Sequence, residues 1–74
     1  MNDTLFRTLL KRYESDIEDA RYKIKCICEH NMVIPEHIDI TGEVDKLLHK
    51  IGGAEEKLSV IRKYYGENKT KQLL

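Results

Sequence analysis

Residues 6–34 read FRTLLKRYESDIEDARYKIKCICEHNMVI. Within this stretch Phe6, Leu10, Tyr13, Ile17, Ala20, Ile24, Ile27, Asn31 and Ile34 recur at alternating steps of four and three residues. That spacing is the apolar seam of a coiled-coil helix. Asn2 and Asp3 stand just before it and are good helix caps. The spacing predicts a helix over about 3–31, with Lys11, Arg12, Ser15, Glu18, Asp19 and Lys25 on its solvated face.

Pro35 disfavours helical geometry at the residue before it, so a connection is expected over about 32–41. Asn31 is a candidate C-cap, and Pro35-Glu36-His37 suits a single helical turn. A second seam follows at Val44, Leu47, Ile51, Ala54, Leu58, Ile61 and Tyr65, which predicts a helix over about 42–65. Thr41 is the expected N-cap, with Asp39 as the alternative. Glu43 and Asp45 favour the positive end of the helix dipole, and Arg62 and Lys63 favour the negative end. Gly66 is expected at the C′ position, with a frayed tail over 66–74. Gly52-Gly53 weakens the second helix without disturbing its phase, because Ile51, Ala54 and Leu58 keep the repeat across it. The glycines face away from the seam, as a place of close approach or a soft hinge.

A connection this short folds the second helix back antiparallel on the first. Two alignments satisfy the layering. The first places Ile17 level with Ile61, Ala20 with Leu58, Ile24 with Ala54 and Ile27 with Ile51. It centres the turn on residue 39 and sets Glu14 beside Arg62, Arg21 beside Glu55 and Lys23 near Lys57. The second slips by one heptad and places Ile17 level with Ala54 and Ala20 with Ile51. It centres the turn near Pro35 and sets Glu14 beside Glu55 and Arg7 beside Arg62. Turn placement, flanking charges and a large partner for each alanine favour the first.

Leu5 and Leu9 flank the first seam, and Val60 and Tyr64 flank the second, on the matching side and at the same end. Two helices need only their seams, so these four residues call for another helix to cover them. A single domain of 74 residues has little core of its own. The expected fold is therefore all-α: a two-helix antiparallel coiled-coil hairpin that self-associates into a four-helix or larger bundle. Leu5, Leu9, Val60 and Tyr64 form its interface, either with further copies of the chain or with a different protein.

Thirteen basic residues offset thirteen acidic ones. This balance argues against a dedicated nucleic-acid or membrane-surface binder, although Arg62, Lys63, Lys69 and Lys71 give the C-terminal end a basic character. No apolar run has the length of a membrane span. Two cysteines make no disulfide framework, in keeping with a reducing, cytoplasmic setting. No phosphate-binding glycine loop, nucleophile–base set or paired carboxylates appear, so neither enzymatic activity nor a cofactor is expected.

Cys26, Cys28 and His30 raise the possibility of a metal site. Residues two apart on a helix point about 200° apart, so the two cysteines cannot share an ion on an intact helix. Cys26, His30 and His37 are the remaining candidate ligands, one short of the usual structural zinc set. The alternative is that Cys28 packs as a small apolar residue against Leu48 while Cys26 is a surface thiol. Tyr22 lies on the outer face. The leading expectation is a small non-enzymatic interaction module, an adaptor or inhibitor. A thiol- or metal-responsive regulator using Cys26, Cys28 and His30 stands second, and a weak nucleic-acid binder third.

Overall fold

A computed structural model describes residues 1–30 and 39–66 of the chain. Two helices, α1 (Asp3–His30) and α2 (Ile40–Tyr65), pack against each other. No strand occurs among the described residues, and no described helix is long and apolar enough to cross a membrane. The Asn31 cap, the expected turn at Pro35-Glu36-His37, His37 itself, and the tail beyond Gly66 with Lys69 and Lys71 lie outside the described residues.

The sequence explains where the helices start. Asn2 is the cap of α1. Its Oδ1 accepts a hydrogen bond from the Leu5 amide at 2.8 Å, and its carbonyl accepts one from Phe6 at 3.0 Å. Thr8 is tolerated in the helix interior because its hydroxyl bonds back to the Thr4 carbonyl at 2.8 Å. Helix α2 begins at Ile40, two residues before the expected 42, and Asp39 rather than Thr41 holds the N-cap position. Asp39 has extended backbone angles (φ −83, ψ 100), and its carbonyl accepts the Glu43 amide at 2.9 Å. Its carboxylate makes no capping hydrogen bond. It lies over Gly42, where an added Cβ would come within 2.6 Å of Asp39 Oδ2.

Helix α2 runs unbroken through Gly52-Gly53. A Cβ at either glycine would meet nothing within 4 Å, so no part of the described chain approaches there. Gly66 ends the helix, but not in the left-handed conformation common at such glycines. Its φ is −72 and its ψ is 155, with its amide bonded to the Arg62 carbonyl at 3.2 Å. A Cβ would sit 2.5 Å from that carbonyl oxygen, so close approach, not a positive φ, requires glycine.

The mutual direction of the helices follows from one contact and the chain's reach. Arg62 Nη2 lies 3.4 Å from Glu14 Oε2. With those residues adjacent, a parallel arrangement would separate His30 from Ile40 by about 57 Å. The ten steps between them span at most about 36 Å. Only the antiparallel arrangement closes.

The alignment is the slipped one, contrary to the sequence expectation. Lys57 Nζ stands 5.5 Å from the centre of the Tyr13 ring. In the first alignment Lys57 would be eight residues from level with Tyr13, about 12 Å along the axis. In the second it is one residue away. The Glu14–Arg62 pair agrees, because helical side chains lean toward their own N-terminus and those of antiparallel helices lean in opposite directions. In the second alignment these leans bring the two tips together across five residues of offset; in the first they carry them apart. The helix ends also agree. The chain between His30 and Ile40 is centred on residue 35, where the second alignment places its turn. The expected clash of Arg7 with Arg62 does not arise, since Arg7 pairs with Asp3 at 3.1 Å and Arg62 with Glu14. The alanine criterion does not discriminate: the second alignment sets Ala20 level with Ile51 and Ala54 level with Ile17.

The core is thin. Among the described residues Ala20, Ala54, Leu58 and Ile61 are its buried apolar residues, and no large side chain is fully buried. Most other seam residues, including Phe6, Leu10, Tyr13, Ile17, Ile24, Ile27, Val44, Leu47 and Ile51, are half-buried. Tyr65, at the end of the second seam, is half-exposed at 51 %.

Candidate functional site

The open end of the hairpin carries an apolar groove between the helices. Its volume is about 300 Å³, and its walls are Met1, Leu9 and Tyr13 from one side and Glu56, Lys57, Val60, Ile61 and Tyr65 from the other. The antiparallel arrangement builds it by bringing the start of α1 beside the end of α2. The slipped alignment places Leu9 level with Arg62, so the apolar flanks of the two helices coincide. Lys57 crosses the groove wall with its ammonium over the Tyr13 ring, a favourable cation–π position.

Around the groove, Leu5 is 47 %, Val60 45 % and Tyr64 49 % exposed, while Leu9 is half-buried. Two of the four expected interface residues, Leu9 and Val60, line the groove itself. Leu5 and Tyr64 lie outside the groove lining. Met1, Tyr13, Lys57 and Tyr65 were missed as groove residues. Tyr13 and Tyr65 had been assigned wholly to the seam, and Lys57 meets Tyr13 only in the slipped alignment. Lys63 stands 5.3 Å from the Tyr64 ring, its charge beside an otherwise apolar surface.

The cysteines differ from the sequence expectation. Cys28 is exposed and Cys26 half-buried, and Leu48 is itself 54 % exposed. Cys28 therefore does not pack as a buried apolar residue against Leu48. Cys26 bonds instead with Tyr22, one turn earlier on the same helix. That hydrogen bond, followed by Coulombic interaction with the Cys26 side chain and slight desolvation, raises the Tyr22 hydroxyl above its ordinary value of 10.0. Among the described residues no three of His, Cys, Asp and Glu are gathered as a metal site would need. Both cysteines are free thiols.

The outer faces carry short-range ion pairs: Asp3–Arg7, Glu18–Arg21, Asp19–Lys23 and Glu43–Lys46, each within one helical turn. All are exposed and contribute a few tenths of a kcal/mol apiece. No protein-family model, no curated protein and no solved structure matches the chain.

Proposed function

We propose that this chain is a non-enzymatic protein-interaction module, an adaptor or inhibitor, that acts through a self-associated helical surface. The observation that carries this reading is the apolar open end, where Leu9 and Val60 line a groove between the helices and Leu5, Val60 and Tyr64 are each about half exposed. The balanced net charge supports it, since two copies meet without long-range repulsion.

The test is sedimentation of the wild-type chain beside a Leu5→Glu, Val60→Glu, Tyr64→Glu variant. None of these three belongs to the buried core of Ala20, Ala54, Leu58 and Ile61, so their replacement leaves that core in place. The wild type should sediment as an oligomer and the variant as a monomer. Helix content should fall with the loss of the partner, because folding and assembly are linked in small obligate oligomers. A wild-type chain that stays monomeric and fully helical at high concentration overturns the reading.

A further inference from the structure

The buried residues of the hairpin are unevenly placed. On α2, Ala54, Leu58 and Ile61 are buried, and all three follow Gly52-Gly53. Before the glycines, the seam residues Val44, Leu47 and Ile51 are only half-buried. On α1, Ile24 and Ile27 are also half-buried, and Ala20 is the last buried residue among those described before the turn. The glycine pair therefore stands where the buried core ends.

The polar contacts divide at the same place. Among the described residues, the Glu14–Arg62 ion pair at 3.4 Å and the Lys57–Tyr13 ring contact at 5.5 Å cross from one helix to the other. Both of their α2 residues lie on the open-end side of the glycines. On the turn side, the Glu43–Lys46 pair stays within α2 and the Asp19–Lys23 pair within α1. Such pairs support a helix but do not hold two helices together.

The glycines themselves are the third observation. Glycine is the least favourable helix residue after proline, and here no packing offsets its cost. Both glycines are exposed, with no neighbour that an added Cβ would meet within 4 Å. Released from the helix, they regain more backbone freedom than any other residue. The weakest link of α2 thus lies between a well-held half and a weakly held one.

We propose that Gly52-Gly53 is a joint in α2, at which Ile40–Ile51 leaves α1 as a unit while Ala54–Tyr65 stays docked. Opening takes Val44, Leu47 and Ile51 out of the seam and uncovers Ile24 and Ile27. Cut off from its partner, the released segment is too short to keep its helix in water. The opening is therefore a local melting that ends at the glycines. The groove at the open end keeps its α2 wall throughout, because Glu56, Lys57, Val60, Ile61 and Tyr65 belong to the half that stays. The hairpin can thus expose a second apolar surface at its turn end without dismantling the first. This device does not depend on self-association.

The test is residue-resolved amide hydrogen exchange of the whole chain, read as protection relative to an unstructured chain. Three proteins are compared: the wild type, a Gly52→Ala/Gly53→Ala variant and a Ser59→Ala variant, Ser59 being exposed on the half that stays. In the wild type, Val44–Ile51 should be less protected than Leu58–Ile61, and its exchange should respond less steeply to urea, since less surface opens. The two alanines should raise the protection of Val44–Ile51 by about 20-fold, because the joint must then break two good helix formers. Ser59→Ala should raise the protection of Leu58–Ile61 by about twofold and leave Val44–Ile51 unchanged. Equal protection along α2, raised everywhere by Ser59→Ala, would describe one cooperative unit and overturn the proposal. Protection of Val44–Ile51 that ignores the two alanines would place the boundary away from the glycines and overturn it as well.

Discussion

Replacing Ile24 and Leu47 with cysteine, in a chain also carrying Cys26→Ser and Cys28→Ser, should produce a rapid disulfide within one chain. In the observed alignment these two seam positions are level with each other. Ile24 and Ala54, the pair that the unslipped alignment would bring level, are one heptad out of step. That offset is about 10 Å along the axis, beyond the roughly 7 Å of Cα separation that a disulfide tolerates without backbone movement. The bridge between positions 24 and 47 closes a loop of about 23 residues, which stabilises the folded chain by about 3 kcal/mol in the chain-entropy account. The bridge between positions 24 and 54 closes a similar loop, so loop entropy does not separate the two variants. Geometry alone separates them. The assay is oxidation at low protein concentration, followed by non-reducing gel mobility and urea unfolding with and without reductant. Fast bridging and a raised urea midpoint for Ile24→Cys/Leu47→Cys, with slow bridging for Ile24→Cys/Ala54→Cys, is the expected result. The reverse order would refute the slipped alignment and the reading of the Tyr13–Lys57 contact with it.

Gly52→Ala and Gly53→Ala should each stabilise the chain by about 0.8–1 kcal/mol, since a Cβ at either position enters open space; thermal unfolding checks this, and a loss of stability would mean that another chain occupies that backbone. Gly66→Ala should destabilise, because its Cβ meets the Arg62 carbonyl. Asn2→Ala should cost about 1 kcal/mol by removing the bond to the Leu5 amide, while Asp39→Ala should cost less, its carboxylate making no such bond; urea titrations of the two variants compare them directly. Tyr22 should titrate above the ordinary tyrosine range, and Cys26→Ala should bring its midpoint down, read as the ultraviolet difference between each chain and its Tyr22→Phe counterpart. The sign follows from the raised folded-state value: whatever stability the Tyr22–Cys26 bond contributes is present below about pH 10 and is lost as pH rises through the folded value.

Much of this molecule is written in its periodicity. The alternating steps from Phe6 to Ile27 and from Val44 to Tyr65 locate both helices and the faces they bury, because each seam side chain must leave water. The phase across Gly52-Gly53 shows that the helix continues, since a break would lose it. Leu5, Leu9, Val60 and Tyr64 stand out as surplus apolar residues from spacing alone; in the structure Leu9 and Val60 line the open-end groove, and Leu5 and Tyr64 are about half exposed outside its lining. The side-chain pairings were legible in part: Glu14 stands beside Arg62 as expected, whereas Cys28 and Leu48 are both exposed rather than packed together in a core. Of the two N-cap candidates for α2, the structure uses Asp39, the second choice, with no capping bond from its carboxylate.

The alignment marks the boundary between what the chain's order determines and what its packing decides. A heptad seam slipped by seven residues presents the same pattern to its partner, so periodicity assigns the two alignments equal standing. Level-by-level pairing of charges favoured the wrong one, because it placed Arg7 against Arg62 and ignored the partners each finds elsewhere. In three dimensions Arg7 turns to Asp3, Arg62 leans across to Glu14, and Lys57 reaches the Tyr13 ring. The sequence by itself determined two amphipathic helices and the apolar surplus at their open end. Tertiary packing decided which turns of those helices meet, because that choice depends on where long side chains lean and which competing partners they reach.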